Sequence, residues 1–127
     1  MKYGEIVAAV RDRDEYAADE AGRITEAVVA TLGRRLTPAS AEHLADQLPP
    51  ELAEALNQAE AAPQNWGVTE FIHHVAEATG DDERIADMHA RAVLSVLGED
   101  VSGGEVNKLI SQLPSGFAQY FGWPELT

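Results

Sequence analysis

A chain of 127 residues with 45% apolar and 24% charged side chains is long enough for one ordinary domain or two very small ones, and its composition is globular. Cysteine is absent, which excludes disulfides, thiol catalysis and thiolate metal sites. Nine Lys and Arg stand against 22 Asp and Glu, and the net charge of −13 repels phosphate backbones and anionic lipid, so neither a nucleic-acid nor a membrane partner is expected.

Met1 to Tyr16 alternates apolar with charged residues where a signal peptide would have an unbroken apolar region, and the expected location is the cytoplasm. Tyr3, Ile6, Val7 and Val10 fall on one helical stripe and predict an amphipathic first helix. A second helix is expected from about Ala18 to Leu32, with Ala21, Ile24, Val28 and Leu32 inward and Gly33 as its left-handed stop. Thr37-Pro38 then supplies an N-cap hydroxyl and a proline in the first turn, opening a third helix. Leu48-Pro49 breaks the chain before a short fourth helix carrying Leu52 and Leu56. Ala39 to Leu56 resembles a helix-turn-helix in outline, but Glu51 and Glu54 stand where DNA binding needs basic residues.

Beyond a linker at residues 59–67 the same order returns. Val68, Phe71, Ile72 and Val75 repeat the first stripe. The sixth helix is expected from about Asp82 to Leu97, with Ile85, Met88, Ala92, Val93, Val96 and Leu97 inward and Gly98 as its stop. Ser102-Gly103-Gly104-Glu105 reads as a capping box, with the Ser102 hydroxyl taking the N3 amide and Glu105 reaching back. Leu113-Pro114 is the second break, followed by Phe117 and Phe121.

A shift of 65 aligns residues 3–56 with 68–121 without gaps and makes twelve positions identical, among them Val28/Val93, Leu32/Leu97, Gly33/Gly98, Leu44/Leu109, Gln47/Gln112, Leu48/Leu113 and Pro49/Pro114. The expected fold is therefore all-α, a tandem repeat of two similar four-helix units packed around a shared core with pseudo-twofold symmetry. Repeat 1 spans 1–58, the linker 59–67, repeat 2 68–121 and a C-terminal tail 122–127, together one compact unit. Acidity is even across the chain, −6 over residues 1–65 and −7 over 66–127.

Whatever is specific to this chain should lie where the halves differ. His73 and Glu77 form an i, i+4 pair that can present two ligands to one metal, and His74 and His89 are further candidates. The matching positions Ala8, Ala9 and Ile24 argue for packing instead, and no metal or cofactor is expected. Trp66, Tyr120, Phe121 and Trp123 could form an exposed partner-binding anchor or seal a core edge. Arg34-Arg35 in one half stands against Glu99-Asp100 in the other; acids oppose a helix C-terminal dipole, and these corners are expected to meet across the seam or a dimer interface. The serines lack a nucleophile-elbow spacing and the carboxylates are too many to single out a pair, so no catalytic residue is expected.

Tyr3-Gly-Glu-Ile, Ala27-Val-Val-Ala-Thr-Leu-Gly, Leu36-Thr and Gln47-Leu-Pro-Pro-Glu-Leu, repeated as Phe71, Ala92-Val-Leu-Ser-Val-Leu-Gly, Val101-Ser-Gly-Gly-Glu and Gln112-Leu-Pro, resemble the bacterial domain of unknown function 2267 family over residues 1–121. Ser115-Gly116 departs from the second Pro-Glu. The resemblance implies a small all-helical bacterial protein and transfers no catalytic residue. The function expected is a non-catalytic interaction or adaptor module with a protein partner, which could be a second copy of itself. The alternatives are a small-ligand carrier or sensor with its site between the repeats, and a metal-dependent enzyme using His73, His74, Glu77 and His89.

Overall fold

The computed structural model describes residues 2–14, 16–58 and 65–122, and these form helices α1 (Tyr3–Asp14), α2 (Ala18–Arg35), α3 (Pro38–Ala45), α4 (Pro50–Asn57), α5 (Val68–Thr79), α6 (Glu83–Asp100), α7 (Gly103–Ser111) and α8 (Phe117–Tyr120). No strand occurs among the described residues. The bounds of α1 and α2 recur in α5 and α6 at an offset of 65 residues. Part of the linker, residues 59–64, and of the tail, residues 123–127 with Trp123, lies outside the described residues.

Local chemistry accounts for the helix starts. Thr37 accepts the Ser40 amide at 3.2 Å ahead of Pro38, Asp82 accepts the Ile85 amide at 2.9 Å, and Ser102 accepts the Glu105 amide at 3.3 Å. The other half of the expected capping box is replaced, since the Ser102 amide donates to Gln47 Oε1 at 2.9 Å, across the chain at the end of α3. The return bond is also present: Ser40 in the first turn of α3 donates its hydroxyl to the Gln112 amide oxygen at the end of α7. The repeated glutamines thus each hold the first turn of the opposite helix.

Packing crosses between the halves in the same reciprocal way. Besides its own partner α2, α1 lies on α6; α5 lies on α6 and on α2; α2 touches α6 and α3 touches α7. One apolar cluster runs through both halves, from Ile6, Ile24, Val28 and Leu32 to Phe71, Val93, Leu97 and Phe117. Phe71 and Phe117 meet edge-on at 5.3 Å. Buried hydroxyls are satisfied within their own helix, Thr25 by the Ala21 carbonyl at 2.7 Å and Thr31 by the Ala27 carbonyl at 2.8 Å.

Two expectations are corrected. Gly33 and Gly98 are not stops: α2 runs on to Arg35 and α6 to Asp100, and the glycines with positive φ are Gly80, Gly116 and Gly122. Gly98 serves a close approach instead, because a Cβ there would run into the backbone carbonyl of Phe121. Met88 does not face inward; it is 41% exposed, while Ala86, His89 and Ala90 are buried. With α1 and α5 on either side of it, α6 buries a broader, rotated stripe than its Ile and Met positions suggest.

Gly98→Ala is expected to cost about 1–3 kcal/mol, since backbone rather than a flexible side chain must move. Gly104→Ala, where a Cβ meets nothing within 4 Å, is expected to be neutral or stabilising. Denaturant midpoints of the two variants against the parent chain measure the difference.

Candidate functional site

His89 is a buried polar group held from both halves of the chain. It projects from α6 and is 4% exposed. Its Nδ1 lies 2.6 Å from the Tyr16 hydroxyl and its Nε2 2.8 Å from Asp81 Oδ2. Tyr16 follows α1 and Asp81 lies between α5 and α6, so the ring joins the two inter-helix connections of opposite halves. An ionised Asp81 only accepts, which places a hydrogen on Nε2 and leaves Nδ1 of the neutral ring to accept from Tyr16. The Tyr16 hydroxyl also lies 3.2 Å from Asp14 Oδ2. Burial, then the carboxylates of Asp14, Glu20 and Asp81, push the Tyr16 phenol well above its ordinary range. Such a phenol keeps its hydrogen and acts as a donor in the Tyr–His–Asp chain.

The expected metal candidates do not come together around this ring. His73 Nδ1 faces Glu83 at 3.1 Å and its Nε2 is 3.9 Å from Glu77, while His74 pairs with Glu77 at 2.9 Å. His89 is turned to Tyr16 and Asp81 instead. Among the described residues no group of three His, Cys, Asp or Glu is placed to hold a metal ion.

Trp66 is buried, not an exposed anchor. Its ring is stacked on His74 at 3.8 Å and 18°, the Arg34 guanidinium sits 5.0 Å over it, and Arg35 Nε donates to its carbonyl at 2.7 Å. Within the chain, Arg34 and Arg35 do not meet Glu99 across the seam. Arg34 and Arg35 turn to Trp66, whereas Glu99 at the end of α6 takes Arg13 of α1 at 2.6 Å. Trp66, at the end of the linker, captured the arginines, and α1, crossing onto α6, brought a cation to the acidic helix end.

Tyr120 and Phe121 are buried too, which removes them as exposed partner contacts. Tyr120 gives its hydroxyl to Asp87, and Arg91, 4.2 Å above the ring, is bonded to Asp87 at 2.8 Å. On the other half, Tyr3 reaches Glu26 at 3.0 Å across Gly22. Gly22 and Glu26 are the positions 65 residues before Asp87 and Arg91, so each long helix is roofed by a tyrosine at the same place, one from α1 and one from α8.

Two open grooves lie beside these features. One of about 570 Å³ runs between α1 and α2 along Tyr3, Val7, Asp19, Gly22, Arg23 and Glu26. The other, about 720 Å³, sits at the α5–α6 corner, where His73, Glu77, Asp81, Asp82 and Glu83 line it. Each falls within one half, away from the crevice expected for a carrier. Among the described residues no helix is long and apolar enough to cross a membrane.

The model of a family described as an uncharacterized conserved protein (DUF2267) matches residues 3–120. No curated protein matches the chain.

All three tyrosines have raised pKa values, Tyr120 pushed up to about 12 by burial and by its bond to Asp87. A phenol whose folded pKa exceeds its unfolded value near 10 contributes stability that is complete below about pH 10 and is lost as pH rises toward the folded value. Ultraviolet absorbance during alkaline titration is expected to show tyrosinate appearing together with unfolding, and above the range of a free tyrosine.

Proposed function

The chain belongs to the DUF2267 family, and we propose that it is a non-catalytic, acidic docking module of the cytoplasm whose protein partner presents a basic surface. One observation carries this reading: exposed acids outnumber exposed cations, and four of the arginines are already engaged within the chain. Arg13, Arg34, Arg35 and Arg91 are committed to Glu99, the Trp66 ring, the Trp66 carbonyl and Asp87. Glu42, Asp46, Glu51 and Glu54 on α3 and α4, and Glu70, Glu77, Asp82 and Glu83 on or beside α5 and α6, are exposed. A net charge of −13 dispersed over both halves steers and orients a basic partner without requiring an apolar hot spot.

We further infer that the two four-helix units are related by a pseudo-twofold axis passing between α3 and α7. The reciprocal glutamine bonds and the crossed packing of α1 on α6 and α5 on α2 support it.

Affinity capture from the source cell, with bound proteins identified by mass spectrometry, tests the docking reading. The expected result is a basic protein whose affinity falls at least tenfold between about 0.1 M and 1 M salt, as the screening length shrinks from about 10 Å to about 3 Å. A partner held equally well at both salt concentrations would overturn it.

A further inference from the structure

We propose that His89 operates a proton-controlled latch on the turn between α1 and α2, with the Tyr16 hydroxyl hydrogen as its moving part. The latch is independent of any docking partner and follows from counting hydrogens. Tyr16 has one hydrogen and two acceptors within reach, His89 Nδ1 at 2.6 Å and Asp14 Oδ2 at 3.2 Å. While the imidazole is neutral, Nε2–H serves Asp81 and the phenol hydrogen serves Nδ1, so Asp14 goes without it. When the ring gains a proton on Nδ1, that nitrogen becomes a donor to the phenol oxygen. The phenol hydrogen is thereby released to Asp14. Asp81, His89, Tyr16 and Asp14 are then joined by three bonds instead of two, and the end of α1 is tied to α6.

Acidic groups border this place on several sides. Asp14 at the end of α1, Glu20 in the first turn of α2 and Asp81 before α6 all act on the Tyr16 phenol. On the α5 side, His73, Glu77, Asp82 and Glu83 line the groove that Asp81 also lines. On the α8 side, Tyr120 is held by Asp87, whose other oxygen takes Arg91. That cation, the nearest named on α6, is therefore neutralised by its own neighbour.

The test uses the intact chain labelled with nitrogen-15. Ring nitrogen shifts report when His89 takes its second proton, and amide exchange reports local protection on either side of that point. Protection of the amides at the end of α1 and in the first turn of α6 is expected to rise about two- to tenfold on ring protonation, the effect of one net hydrogen bond. Tyr16→Phe and Asp14→Ala should each abolish that rise, the second by removing only a helix-end acceptor. A rise that persists in both variants, protection unchanged by ring protonation, or a ring that stays neutral down to acid unfolding would each overturn the latch.

Discussion

Neither long helix can be buried by its own half. A unit of about 60 residues hides too little of its surface to be secure alone, and here the deficit is met by exchange: α1 crosses to α6 and α5 crosses to α2. Every other feature depends on this crossing. It puts Arg13 against Glu99, so that two acids at the end of α6 do not stand unopposed beside the helix dipole. It also brings Tyr16 to His89 from a position 73 residues away. The single apolar cluster is the thermodynamic consequence, since removing either half would expose the inner faces of both long helices.

The interior has absorbed residues that would ordinarily mark a site. Trp66 lies between an arginine and a histidine, Tyr120 between an aspartate and an arginine, and His89 between a phenol and a carboxylate. Tyr120 and His89 are buried with their polar atoms bonded and Trp66 with its ring stacked, conditions on which such groups enter a core without a large penalty. The two tyrosine roofs show that the halves solve one packing problem with different parts. Gly22 leaves room for Tyr3 to lie across α2, whereas α6 carries Asp87 and Arg91 at the matching positions and receives Tyr120 from the opposite direction.

Signals that act within a few residues were legible in the sequence. The Thr37 and Ser102 caps, the breaks at Leu48-Pro49 and Leu113-Pro114 and the apolar stripes of α1 and α5 all depend on neighbours in the chain. Signals that depend on distant partners were not. Gly98 reads as punctuation until Phe121 is seen against it, and Met88 reads as core until α1 and α5 are placed beside α6. His73, His74 and His89 have no histidine counterpart in the first half, but spacing alone does not reveal that His89 faces Tyr16 and Asp81 while His73 faces Glu83. One clue was available: Tyr16 and Asp81 are matching positions of the repeat, occupied by two polar groups able to bond a single ring.

The exchanged glutamine bonds bear on how freely this chain can change. Gln47 holds an amide at the start of α7, and Gln112 holds a hydroxyl at the start of α3, so each half carries a part the other needs. A loss on one side is felt at a helix start on the opposite side, where no substitution has occurred. An insertion within α3 displaces its own glutamine and also the hydroxyl that the other glutamine expects. Two halves bound in this manner cannot change separately in length or register, and variation is directed to the outward faces of the helices, where no such debt is owed.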